Sequence, residues 1–319
     1  MMLDIDPLLA DEPIIRNMVS PPLSGEPPID FPVLVDAARA ALPPGFPTDP
    51  ARVLVALDLD GTVMTLEGVS DRVRAVLADA TDAGIHVVIA TGRSLEATGP
   101  VLDQLGGPDA WAVCSNGAIT AHFSQIHEGG ARALDPLTFD ASGLIDLVLE
   151  QIPGALVGVE APGDFLLSGD FPAGELIEEH RVVPVEDLRG VPAIKLVVRA
   201  PEMTRSQFED VLVRLGVPDR WECSVGWTSW ADLLPLGVTK ASGLEALAAR
   251  LGVPREGTVA IGDGTNDVSM IRWAALGVAM GSASADIKAC ADLVTGAVEN
   301  EGAAAVIRAV LDHCGGALP

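Results

Sequence analysis

Val53-Leu54-Val55-Ala56-Leu57-Asp58-Leu59-Asp60-Gly61-Thr62 joins five consecutive apolar residues to a short acidic cluster. An unbroken apolar run of this length suits a strand buried on both faces, as in a parallel sheet covered by helices. Working outward, Ser70 can cap a helix whose apolar positions Val73, Val76, Leu77 and Ala80 recur at three and four residues, with Gly84 at its exit. A second strand, Ile85 to Ala90, runs into Thr91-Gly92-Arg93, and a third, Trp111 to Cys114, into Ser115-Asn116-Gly117. Much later Thr258 to Ile261 runs into Gly262-Asp263-Gly264-Thr265-Asn266-Asp267, followed by Leu276 to Met280. Each polar cluster lies at the C-terminal end of an expected strand, where open α/β sheets gather binding and catalytic groups. The expected fold class is α/β, a doubly wound parallel sheet.

The chain has 319 residues, which at ~150 residues per domain suggests two domains. Residues 1–50 are rich in proline (Pro21, Pro22, Pro27, Pro28, Pro43, Pro44, Pro47, Pro50) and read as a poorly ordered extension. Within them Phe31 to Leu42 approximates helical spacing and could dock on the main body. Residues 51–120 and 237–319 form the expected sheet domain. Between them, residues 121–236 show candidate helices at Phe139 to Gln151 and Met203 to Leu215, with strands at Ala155 to Glu160, Ala193 to Arg199 and Thr228 to Leu234. This is the pattern of an inserted α+β module.

Forty-five acidic residues against twenty basic ones leave a formal net charge of −25, which repels nucleic-acid phosphates and anionic membranes alike. No apolar run approaches the ~20 residues needed to span a bilayer, and the N-terminus carries acids where a secretory signal carries basic residues. Cys114, Cys223, Cys290 and Cys314 show no metal-ligand spacing, so they read as small hydrophobes in a reduced, cytoplasmic protein.

Alone, Asp58-x-Asp60 could be a solvated turn. A calcium loop fails as a reading, because Gly61 stands fourth where an EF-hand needs Gly sixth, and Val69 stands at its twelfth position. Joined by Asp263 and Asp267 from another strand end, the two acids make a hard oxygen site suited to Mg²⁺ and substrate phosphate. A carboxylate nucleophile cannot approach a phosphate dianion unaided. Mg²⁺ and a lysine would supply that help, and Lys240 opens an amphipathic helix (Leu244, Leu247, Ala248, Leu251).

These residues resemble the haloacid dehalogenase (HAD) superfamily of phosphotransferases, in particular its Cof-type phosphatases with a large inserted cap. The motifs stand in family order: ALDLDGTV at Ala56 to Val63, IATGRS at Ile89 to Ser94, Lys240 ahead of a helix, and IGDGTNDVSM at Ile261 to Met270. Ser115-Asn116-Gly117-Ala118 is also typical of the subgroup, while Ala241 stands where it usually has Gly. The resemblance covers about residues 52 to 310 and implies a Rossmann-like HAD core with a cap. It implies Asp58 as nucleophile, forming an aspartyl-phosphate, and Asp60 as general acid and then base. Thr91 and Gly92 would contact phosphoryl oxygens and Lys240 would balance charge. Asp58, Asp60, Asp263 and Asp267 are the expected metal ligands. Asn266 would orient Lys240 or a phosphoryl oxygen, and Asn116 and Gly117 would join the substrate site. Arg93 either contacts substrate or pins its own loop in an ion pair.

The five histidines show no HExxH or HxH spacing, so none is assigned as a ligand, and no GxSxG elbow or GxxxxGK[ST] loop occurs. Trp221, Trp227 and Trp230 either line a pocket or fill the module's core, with core favoured. The expected function is a Mg²⁺-dependent phosphatase acting on a small phosphorylated metabolite, a sugar or polyol phosphate foremost, with no nucleic-acid or membrane partner. The cap is expected to close as a lid and to set specificity. A sugar phosphomutase is a rival of the same chemistry. A phospho-accepting signalling module is a rival of another class, against which Asp60 argues because it serves rapid turnover.

Overall fold

The computed structural model describes residues 24–315 except 66, 108, 135 and 177. It comprises two compact units, one spanning Pro136–Val238 and the other the remaining described chain. The larger unit opens with α1 (Phe31–Ala41), then β1 (Leu54–Leu57), α2 (Asp71–Asp82), β2 (His86–Ala90), α3 (Leu95–Gln104), β3 (Ala110–Cys114), β4 (Ile119–Phe123) and β5 (Ala131–Leu134). The inserted unit contains β6 (Phe139–Asp140), α4 (Ser142–Gln151), β7 (Leu156–Ala161), β8 (Asp164–Leu167), β9 (Arg181–Val182), α5 (Val185–Leu188), β10 (Pro192–Ala193), β11 (Lys195–Arg199), α6 (Arg205–Arg214), β12 (Trp221–Val225) and β13 (Trp230–Pro235). The chain then returns through α7 (Lys240–Leu251), β14 (Thr258–Gly262), α8 (Val268–Trp273), β15 (Leu276–Ala279), α9 (Ala285–Lys288), β16 (Leu293–Val294) and α10 (Gly302–His313).

The larger unit is built on an eight-stranded sheet in the order β16-β15-β14-β1-β2-β3-β4-β5. Strands β16 through β3 are parallel, and β4 and β5 add an antiparallel hairpin at one edge. β1 is buried on both faces, as its continuous apolar run requires. Leu54, Ala56, Val88, Ala90 and Ala260 point to one face, where Leu244, Leu247 and Ala248 of α7 and Met270 of α8 cover them. Sequential strands run from β1 to β3 in one direction, whereas β14, β15 and β16 lie on the other side of β1. The topology therefore reverses between β1 and β14, which is where doubly wound sheets open a crevice at the strand ends.

The hairpin β4–β5 is a correction to the sequence expectation, which placed the inserted module from residue 121. Ile119, Ala121 and Phe123 alternate inward and pair antiparallel with β3, so the sheet continues to Leu134 and the inserted unit begins at Pro136. A short half-buried alternating strand after a strand-end loop carries no signal that distinguishes it from the start of a new module.

The extension is also corrected in part. Residues 1–23 lie outside the described residues, but Leu34, Val35 and Ala38 of α1 are buried and α1 packs along α10. Arg39 pairs with Asp312, and the Arg72 guanidinium lies 4.4 Å from the centre of the Phe31 ring.

In the inserted unit, a six-stranded sheet in the order β12-β13-β11-β7-β8-β9 carries α4 and α6 on one face. The apolar residues Leu144, Ile145 and Val148 of α4 and Phe208 and Leu212 of α6 pack there on Val157, Val159, Leu196 and Val198. Trp221 packs on Phe139 and Trp230 on Phe171, whereas Trp227 is exposed. Among the described residues, no helix is long and apolar enough to cross a membrane.

Candidate active site

Parallel register builds the site. Leu57 pairs with Ile261 and Ile89, and the Asp58 amide continues the ladder by donating to the Ile261 carbonyl at 3.0 Å. Asp58 and Asp263 therefore leave adjacent strands at the same level. Asp58, Asp263 and Asp267 are buried, and each brings a carboxylate oxygen within 4.8 Å of the others.

Lys240 enters from the first turn of α7. Thr239 caps that helix by accepting from the Ser242 amide at 3.2 Å, which satisfies an otherwise orphaned donor and fixes where the helix begins. Lys240 Nζ then donates to Asp58 Oδ1 at 2.7 Å and to Asp267 Oδ1 at 2.6 Å. Asp267 Oδ2 accepts from the amides of Asp263 and Gly264 at 2.9 and 2.8 Å. Both Asp267 oxygens are thus occupied in holding the lysine and folding the loop. Gly262 makes this possible: a Cβ there would lie 2.4 Å from Asp267 Cγ.

Three carboxylates face one ammonium in a buried space. Burial, reinforced by repulsion from Asp267, pushes the Asp58 carboxyl up to about 7, although Lys240 opposes the shift. Burial and then Asp58 raise Asp263 well above the ordinary carboxylate range. For Lys240, burial alone would favour the neutral amine, but Asp267 and Asp58 outweigh it and raise its pKa above the usual lysine value.

A divalent cation fits this donor set. Asp263 Oδ2 is buried and has no hydrogen-bond partner among the described residues, a costly state that metal coordination would relieve. Every donor is a carboxylate oxygen, the preference of a hard cation. Asp263 Oδ1 is oriented by the Thr62 hydroxyl at 3.3 Å. The sequence analysis missed Thr62 as a site residue, although it stands inside the same Asp-x-Asp-Gly-Thr run.

The carboxylate of Asp60, expected among the metal ligands, is not in the cluster. Arg93 takes it in a two-pronged pair, with Nε at 2.8 Å from Oδ2 and Nη2 at 2.6 Å from Oδ1. Of the two roles open to Arg93, the structure displays the ion pair, and it reaches from its own loop across to the Asp60 loop. Thr91 is buried, and its hydroxyl accepts from the Arg93 amide at 3.1 Å. Asn266 does not orient Lys240; its side-chain amide donates to Asn116 Oδ1 at 2.9 Å. Asn116 sits in the left-handed region, with φ 53°, and its backbone amide donates to the Thr91 carbonyl. Gly92 lies against this asparagine pair, and an added Cβ would stand 3.2 Å from Asn116 Oδ1. Gly117, expected at the substrate, has a packing role: its φ is +106° and a Cβ would fall 2.0 Å from the Thr239 carbonyl oxygen. Close approach of this loop to the start of α7 is what seats Lys240.

The chain belongs to the haloacid dehalogenase-like hydrolase family, whose model matches residues 55–135 and 176–307. It is 28% identical over 265 residues to the 5-amino-6-(5-phospho-D-ribitylamino)uracil phosphatase YcsE of Bacillus subtilis, covering 80% of this chain and 94% of that one. It is also 28% identical to the pyridoxal phosphate phosphatase YbhA of Escherichia coli, covering 76% of this chain and 93% of that protein. A solved haloacid dehalogenase-like hydrolase from B. subtilis shares the fold with a TM-score of 0.67 at 24% identity, over 80% of this chain and 98% of that one. The protein is accordingly a phosphoric monoester hydrolase of the Cof type.

Proposed function

We propose that the protein is a Mg²⁺-dependent phosphatase of small phosphorylated metabolites, sugar or polyol phosphates foremost, working through an aspartyl-phosphate on Asp58. The observation that carries this reading is the Asp58 carboxylate, held by Lys240 at 2.7 Å beside Asp263, whose Oδ2 is buried and without a hydrogen-bond partner among the described residues. Asp58 and Asp263 would hold the metal, with Asp267 anchoring Lys240 beside them. When bound, the ion offsets the negative charge that otherwise keeps a phosphate dianion away from a carboxylate.

Lys240 keeps one Asp58 oxygen in place, leaving Oδ2 to attack phosphorus. The bond from phosphorus to the leaving oxygen breaks as the new bond to Asp58 forms, and Asp60 gives a proton to that leaving oxygen. In the second step Asp60 takes a proton from water, which attacks the same phosphorus and frees Asp58. Asp60 must release Arg93 to do this, and an incoming phosphoryl group is a competing partner for the guanidinium. Thr91 and the backbone at Gly92 are assigned to the phosphoryl oxygens. The polyol preference draws on the relative named for a phosphorylated ribityl compound, while the relative named for pyridoxal phosphate supports only the broader class of small phosphorylated metabolites.

The test is a panel of phosphorylated metabolites assayed with purified protein in Mg²⁺ and in chelator. Phosphate release from sugar or polyol phosphates, abolished by chelator and restored by Mg²⁺, is the expected result. Full activity without metal, or phosphoryl transfer between sugar positions with no release, would contradict it.

A further inference from the structure

Thr62 belongs to the loop that follows β1, yet its side chain crosses to the loop that follows β14. Its hydroxyl donates to Asp263 Oδ1 at 3.3 Å, and both residues are buried. The turn that carries it is fixed from within. The Leu59 carbonyl accepts from the amides of Thr62, Val63 and Met64 at 3.3, 3.0 and 3.1 Å, and the Gly61 amide donates to the Met64 carbonyl at 3.0 Å. Leu59 is itself buried, so the hydroxyl is presented from a rigid base. The carboxylate it meets is less constrained, because the terminal torsion of an aspartate is broad and roughly two-fold. Oδ1 takes the hydroxyl, while Oδ2 is buried with no hydrogen-bond partner among the described residues.

We infer that Thr62 is a positioning residue for the divalent cation: by donating to Oδ1 it fixes the Asp263 carboxylate and leaves Oδ2 as the oxygen that coordinates the ion. This inference rests on the metal-dependent reading of the same cluster proposed above. Both Asp267 oxygens are already engaged, one by Lys240 and the other by the amides of Asp263 and Gly264. Of the three clustered carboxylates, Asp58 and Asp263 therefore remain for the ion, and the orientation of each matters. Lys240 holds one oxygen of Asp58, and Thr62 does the same for Asp263 with a neutral donor. The neutrality is useful. A second ammonium at Asp263 would repel an incoming cation, whereas a hydroxyl orients the carboxylate and leaves its charge for the ion. Ligating carboxylates are commonly held by such outer partners, whose loss costs about 10–100-fold in metal affinity, and a single hydroxyl belongs at the lower end of that range.

Two substitutions separate the donor from the shape of the side chain. Thr62→Val keeps the branch at Cβ and loses the hydroxyl, whereas Thr62→Ser keeps the hydroxyl and loses the methyl group. The experiment titrates Mg²⁺ calorimetrically into chelator-stripped full-length protein. The dissociation constant is expected to rise about tenfold in Thr62→Val and to stay near the wild-type value in Thr62→Ser. Thr62→Ala, a second variant without the donor, should bind as weakly as Thr62→Val and keeps the test valid should valine disturb the turn; thermal unfolding in chelator checks that each variant folds. Mg²⁺ affinity equal to wild type in the folded variants without the donor would overturn the positioning role and leave the proposed function standing. Equal weakening in Thr62→Ser and Thr62→Val would also overturn it, since the methyl group and not the donor would then matter. Wild-type protein that takes up no Mg²⁺ would overturn the proposed function itself, and this inference with it.

Discussion

Asp58 and Asp263 are strained electrostatically because one ammonium serves three buried carboxylates. In the metal-free protein the Asp58 carboxyl titrates near 7, against an ordinary 3.8. The folded chain thus binds this proton more tightly than the unfolded chain, and the group's contribution to stability is lost as pH rises from about 4 to 7. Metal binding needs both carboxylates ionised, so it gains over the same window. The rise in Tm produced by Mg²⁺ should be small near pH 5 and larger near pH 7.5. Scanning calorimetry with Mg²⁺ and with chelator checks this, and equal rises at both values would contradict it. The Asp-x-Asp pair and Asp263 were legible as residue types, but the partnering of Asp60 with Arg93 and of Asn266 with Asn116 was not. Those pairs join loops far apart in sequence, and only strand register brings them together.

At the scale of elements, the site depends on loops that tolerate no extra atoms. Gly262 ends β14 where Asp267 turns back onto the chain, and a Cβ would lie 2.4 Å from Asp267 Cγ. Gly262→Ala should push Asp267 away from Lys240, with a stability cost of about 1–3 kcal/mol and a fall in kcat of at least tenfold. An unchanged kcat in that variant would show that Asp267 does not position the lysine. The β1, β2 and β14 strands were readable because continuous apolar runs ending in polar clusters carry both element and site. β4 was not, since a half-buried edge hairpin has the same texture as the start of an insertion. The pairing of β4 with β3 is a tertiary fact.

For the whole molecule, α1 alters the reading of the N-terminal extension from tail to part of the larger unit. Leu34 is buried against the body, 7% exposed, and Leu34→Ala should cost about 2–3 kcal/mol, lowering Tm by roughly 5 °C. No change would mean that α1 does not dock in solution. Helical spacing in Phe31 to Leu42 made this helix visible, but the surrounding prolines concealed that its apolar stripe finds a partner in α10. The family match begins at residue 55, so α1 lies outside the matched region. The central proposal is that Asp58, at the switch point between β1 and β14, is the phosphoryl acceptor. Its most direct test is acid quench of the turning-over enzyme with ³²P-labelled substrate, followed by peptide mapping. The expected result is a hydroxylamine-sensitive label on the peptide containing Asp58, absent in Asp58→Asn, whose activity falls more than about 10³-fold. Label on another residue, or near-normal turnover in Asp58→Asn, would contradict the account.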